Sequence, residues 1–119
     1  MNRLSRDETM HRVDDLLSHV WMVRAFLKHC EEAEDDEELR GVQRGLYDYM
    51  LALGGPLKNN APDAYVRQAK KKLAKLRRAC ATFVEIQPEV SGHTNFEMAA
   101  RSLTLAVDEI AILLGQDKP

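Results

Sequence analysis

Between Met10 and Cys30, the residues Val13, Leu16, Val20, Val23, Leu27 and Cys30 recur at alternating steps of three and four. That spacing confines all six to one stripe of a helix, the seam that a bundle of helices buries. Nothing else constrains the fold so strongly, because three later segments repeat the pattern. Leu39, Val42, Leu46, Tyr49 and Leu53 make a second stripe, and Val66, Ala69, Leu73, Leu76, Cys80 and Phe83 a third. Phe96, Ala99, Leu103, Ala106, Ile110 and Leu113 make the fourth. Four such segments joined by short turns specify an all-α protein, an antiparallel up-down-up-down four-helix bundle. Ala69, Cys80, Ala99 and Ala106 are small, so the third and fourth helices are predicted to approach each other most closely.

Local signals set the boundaries. Ser5-x-x-Glu8 reads as a capping box, with Asp7 and Glu8 suited to the positive end of the helix dipole. The acidic run Glu31–Glu38 breaks the apolar period and reads as a turn whose second half opens the next helix. Gly54-Gly55-Pro56 is predicted to end that helix, and Asn60 to cap the third, with Pro62 and Asp63 in its first turn. Pro88 is predicted to stop the third helix, and Thr94-x-x-Glu97 to form a second capping box. The predicted helices cover about 6–30, 36–53, 61–86 and 95–114 within one domain spanning 1–119, and the tail from Gly115 is too polar to fold.

Composition removes several classes of function. At 45% hydrophobic and 30% charged residues the chain is expected to fold, and its net charge of −2 offers no field for nucleic acid or an anionic membrane. No apolar run approaches the length of a membrane span, and the first residues have no hydrophobic signal core, so a cytoplasmic protein is expected. Cys30 and Cys80 both occupy seam positions, where free buried thiols are expected.

The polar motifs have plain explanations. Glu8-x-x-His11 is one half of a di-iron pattern, but that site needs two such motifs and two further glutamates, and Glu8 is taken by the cap. His93-x-x-x-Glu97 has the spacing of a hemerythrin-like fragment without the inward-facing histidines to complete it. His93-Thr94-Asn95 lacks the lysine and glycine of a phosphotransfer histidine. No metal and no cofactor is therefore expected. Arg67, Lys70, Lys71, Lys72, Lys75, Arg77 and Arg78 crowd the third helix without interleaved aromatics, and read as a solvated face balanced by the acidic turn. Trp21 and Met22 fall opposite the first stripe, and Leu105, Ala111 and Ile112 widen the fourth. Trp21, Met22, Leu105 and Ile112 are the predicted interface residues of a homo-oligomer.

Val13-Asp14-Asp15-Leu16-Leu17-Ser18 resembles the V-D-E-L-N-S start of the first bundle helix in cobalamin adenosyltransferases of the propanediol-utilisation type. Glu38-Leu39, Val42-Gln43, Leu46-Tyr47-Asp48 and Ala52-Leu53 are similar to that family's second helix. Phe83 to Arg101, with Pro88, Ser91-Gly92 and Ala100-Arg101, is similar to its loop and following helix. The resemblance implies the fold, an oligomer of three chains, and ligand contacts through Asp14, Asp15 and Arg101. The chain departs from the family where the chemistry lies. No threonine- and glycine-rich phosphate loop precedes Val13, Leu17 stands where the family has asparagine, and Leu105-Ala106-Val107-Asp108-Glu109 replaces its arginine-rich run. Without cations for a triphosphate, nucleotide chemistry loses its electrostatic basis. The expected function is an oligomeric binding or scaffolding module, trimer or dimer, without catalysis. The alternative is a shortened adenosyltransferase-like enzyme holding a nucleotide or corrinoid between subunits.

Overall fold

The second stripe is buried as its spacing requires. Leu39, Val42, Leu46, Tyr49 and Leu53 all lie in the core of a four-helix bundle, on a helix that runs Glu37–Lys58. The computed structural model describes residues 4–116, with helices α1 (Arg6–His29), α2 (Glu37–Lys58), α3 (Pro62–Val90) and α4 (Thr94–Gln116). A short 3-10 helix, Glu31–Asp35, joins α1 to α2. Each helix packs on the next and α4 closes back on α1, with α1 and α3 touching across the centre. At a rise of about 1.5 Å per residue, α3 is roughly 44 Å long. The long axis of the molecule is 42 Å, so α3 runs the whole length of the bundle.

The cap of α1 forms as predicted. Glu8 donates its backbone N–H to Ser5 Oγ at 3.1 Å, and the Ser5 N–H donates to Glu8 Oε1 at 3.0 Å. Asp36 caps α2, accepting the Leu39 N–H at 3.0 Å. The predicted ends of α2 and α3 are both too early. Gly54-Gly55-Pro56 lies inside α2, and Pro88 inside α3. The reason is the stripe itself. Leu57 falls one turn past Leu53 and packs against the core, as Ile86 and Val90 do beyond Phe83. Each proline sits in the last turn, where one ladder bond is lost and the helix ends anyway.

Asn60 has a different role from the predicted one. It adopts φ 48°, the left-handed region, and terminates α2 rather than capping α3. Its N–H donates to Leu57 O at 3.0 Å and the Ala61 N–H to Pro56 O at 2.9 Å, the two bonds of a Schellman motif. Ala61 precedes Pro62 at the start of α3 and supplies no side-chain cap. At α4, Thr94 is already helical, and the Thr94–Glu97 box does not form. Instead the Asn95 N–H donates to His93 Nδ1 at 3.0 Å, and His93 is held by its own N–H on Ser91 Oγ. Gly115 and Gln116 continue α4, and the rest of the tail lies outside the described residues.

Packing also departs from expectation in two places. The most extensive helix pairing is α2 with α3, not α3 with α4. There Gly45 faces Ala79 so closely that an added Cβ would come within 3.2 Å of the Ala79 Cβ. In α1, Leu17 rather than Leu16 is fully in the core, with Met10, Thr9 and Arg24 also buried. Elsewhere on α2, Gly41 and Gly54 are exposed and a Cβ would meet nothing within 4 Å. Gly41→Ala and Gly54→Ala are therefore expected to stabilise the bundle by about 0.5–1 kcal/mol each, through helix propensity alone. Urea denaturation should show a higher midpoint at an unchanged slope.

Candidate functional site

Arg24 lies on the seam side of α1 and is only 8% exposed. Its guanidinium carbon stands 4.7 Å from the centre of the Trp21 ring and 4.7 Å from that of Tyr47, on α2. The spacing Trp21-x-x-Arg24 puts both on one side of α1, and the antiparallel α2 brings the Tyr47 ring to the same cation. Arg24 Nε donates to Gln43 Oε1 at 3.1 Å. No carboxylate among the described residues pairs with Arg24; two aromatic faces replace it, a cation–π arrangement that strengthens as water is excluded. Trp21 is still 47% exposed and Tyr47 36%. Trp21 is therefore not a bare apolar residue on an outer face, as its position opposite the stripe predicts. It is the lid of a buried cation, facing α2.

The other predicted interface residues lie elsewhere. Met22 is 67% exposed, one residue round the helix from Trp21. It falls between His19, which approaches Ser102 Oγ at 3.4 Å, and Phe26, whose ring meets Phe96 edge-on at 4.9 Å. Both neighbours face α4, so Met22 belongs to the α1–α4 side. Leu105 and Ile112, with Met98, are the exposed large residues of α4. A groove of about 550 Å³ between α1 and α4 is lined by Leu16, His19, Met98, Arg101, Leu105 and Glu109, among others. A second, of about 510 Å³ between α3 and α4, includes Val84, Glu97, Arg101 and Leu105. Leu105 is thus the ridge between two grooves.

Asp14, Asp15 and Arg101 are not brought together within one chain. Asp14 lines the groove between α1 and α2 with Trp21, Met50 and Leu57, whereas Arg101, on α4, lines the groove between α1 and α4. Asp14 accepts a long hydrogen bond from the Tyr65 hydroxyl at 3.5 Å, and partial burial raises its carboxyl above the usual range. Asp15 is exposed, and its backbone carbonyl accepts from Ser18 Oγ at 2.7 Å. Among the described residues, Arg101 hydrogen-bonds only to the Met98 sulfur, at 3.9 Å.

His11 is exposed and pairs with Asp7 at 3.5 Å. The described residues include no group of three or more His, Cys, Asp or Glu side chains placed to hold a metal ion. The acids of residues 31–35 do not meet Arg77 or Arg78; Arg40 instead folds back to donate to Ala33 O at 2.9 Å and Glu34 O at 2.8 Å. Cys30 and Cys80 are both free thiols. Among the described residues, no helix is long and apolar enough to cross a membrane. No family model matches the chain, and neither a curated protein nor a solved structure matches it. The likeness to cobalamin adenosyltransferases rests on the sequence motifs alone.

Arg24 is the residue that pattern reading passes over. A cation at a seam position looks like an interruption of the stripe, and its cover comes from a different helix. The Trp21-x-x-Arg24 spacing is the one local trace of it.

Proposed function

We propose that this chain is an oligomeric helical-bundle module that binds or scaffolds through its outer faces, similar in fold to cobalamin adenosyltransferases and without their chemistry. The observation that carries this reading is the row Met98, Leu105 and Ile112 on the outside of α4, large apolar residues exposed at intervals of seven with Met22 on the adjoining side of α1. Scattered exposed apolar residues are ordinary, whereas an aligned row on one helix is what a partner surface needs. The half-exposed rings of Trp21 and Tyr47, over the buried Arg24, form a separate face of aromatic residues, a type that often anchors interfaces. The competing reading, a nucleotide or corrinoid held through Asp14, Asp15 and Arg101, would have to assemble its site from more than one subunit.

Two measurements test the reading together. Light scattering on the eluting full-length chain at micromolar concentration should give a mass well above the 13.5 kDa of one chain. Thermal melts with ATP, cobalamin or divalent metal in excess should leave the transition where it is. A ligand preferring the folded state at a hundred times its Kd would add about 2.7 kcal/mol, a readily visible shift. A monomer, or a melt that climbs with ATP or cobalamin, would reject the proposal.

A further inference from the structure

The outer face of α4 is its own complement. Leu105, 72% exposed, stands midway between Met98 and Ile112, seven residues from each. It also stands midway between Arg101 and Glu109, one helical turn from each, and all three line the groove against α1. Neither charge is paired with an opposite charge among the described residues. Among the described residues, Arg101 hydrogen-bonds only to the Met98 sulfur, and Glu109 makes no ion pair or hydrogen bond.

We propose that a second copy of this chain docks antiparallel on α4, about a two-fold axis passing beside Leu105. This rests on the oligomeric reading above and adds its number and symmetry. Turning the helix end for end about Leu105 exchanges Met98 with Ile112 and Arg101 with Glu109. Each apolar residue then meets an apolar one, and each Arg101 meets a Glu109 of the other copy. An isologous contact demands this self-complementarity, because the same patch serves on both sides. A parallel pairing would set Arg101 against Arg101 and Glu109 against Glu109, and opposed like charges exclude a wrong partner or register. A closed ring of three chains would instead place α4 against a different surface, leaving the match between its two halves without use. The α1 side chains Leu16, His19 and Met22 flank the contact and enlarge it. A face built mainly on one helix is small by the standard of stable interfaces, so association is expected in the micromolar range.

Sedimentation equilibrium of the full chain at tens of micromolar tests this, with circular dichroism and melting as controls for folding. The wild type should fit a monomer–dimer equilibrium of the 13.5 kDa chain. Leu105→Asp should be monomeric with wild-type helicity, since the side chain faces water in the single chain. Arg101→Glu and Glu109→Arg should each weaken the dimer about tenfold or more, and the double reversal should restore it to within a few-fold of wild type. That restoration separates a direct charge pairing from a general loss of surface polarity. A three-chain assembly, or an oligomer indifferent to Leu105→Asp, would overturn the two-fold contact and leave the oligomeric reading standing. Single reversals without effect, or a double reversal that fails to restore the dimer, would overturn the contact equally. A wild-type monomer at these concentrations would overturn both.

Discussion

Val20→Asp is expected to leave the chain unfolded at ambient temperature. Val20 sits mid-way along α1 and is 0% exposed, so a carboxylate there has neither water nor a cation to meet. An unpaired buried charge costs several kcal/mol, and the lost apolar burial adds roughly 1.5 kcal/mol more. A small domain has only about 5–15 kcal/mol of stability to lose. Circular dichroism should show the helical signal gone or the melt lowered below room temperature. Leu73→Asp is expected to be milder than its stripe position implies, because Leu73 is only half-buried and a carboxylate there can turn toward water. Arg12→Asp and Lys71→Asp, at exposed positions, should keep the native transition. A cooperative melt near the wild-type temperature for Val20→Asp would mean that α1 presents a different stripe to the core.

The second large effect is a loss of stability in alkali. The Tyr49 hydroxyl, inside the bundle, donates to Ala69 O at 3.0 Å, and the buried Tyr65 hydroxyl points at Asp14. Burial pushes both phenols well above their ordinary value of 10.0, and for Tyr65 the nearby Asp14 charge and Tyr49 add to it. A pKa raised by folding confers stability that is complete below the unfolded value and is lost as pH rises. The unfolded chain ionises first, from about pH 10, while the folded chain keeps both protons. The free energy of unfolding should then fall by up to about 1.4 kcal/mol per pH unit for each tyrosine, roughly 2.7 kcal/mol for the two. Cys30 and Cys80, also raised by burial, act with the same sign from the ordinary thiol value of 9.0. Urea midpoints between pH 8 and 12 should trace the decline. Tyr49→Phe combined with Tyr65→Phe should remove most of it above pH 10, and a limb as steep in that variant as in the wild type would refute the assignment.

The stripes were legible because burial in a bundle obeys a fixed period, and α2 shows it without exception. The helix ends were less so. Glycine pairs and prolines are local stop signals, but Leu57, Ile86 and Val90 each repay another turn with core contact, and in the last turn a proline costs little. Asn60 shows the same competition from the other side. A good helix cap by type, it is taken by the left-handed turn that the longer α2 requires. Of the candidate surface, Leu105 and Ile112 could be read from width alone, since a helix as apolar as α4 has more hydrophobic residues than one seam can hide. Trp21 could not, because what it covers depends on Tyr47 arriving from α2. The charge match of Arg101 and Glu109 about Leu105 is written in the spacing, yet it has meaning only once that face is known to be outermost.

Arg24 gives the molecule an asymmetry between its seams. The α2–α3 pairing is tied by the Tyr49 phenol, and the α1–α4 side carries His19 beside Ser102. A guanidinium keeps its charge at every pH a protein survives, and it binds ring faces that have no charge to lose. The contact of Arg24 with Trp21 and Tyr47 therefore includes no carboxylate, among the described residues, that acid could neutralise. Lysine at the same place would bring a charge without the flat surface that two rings can clasp.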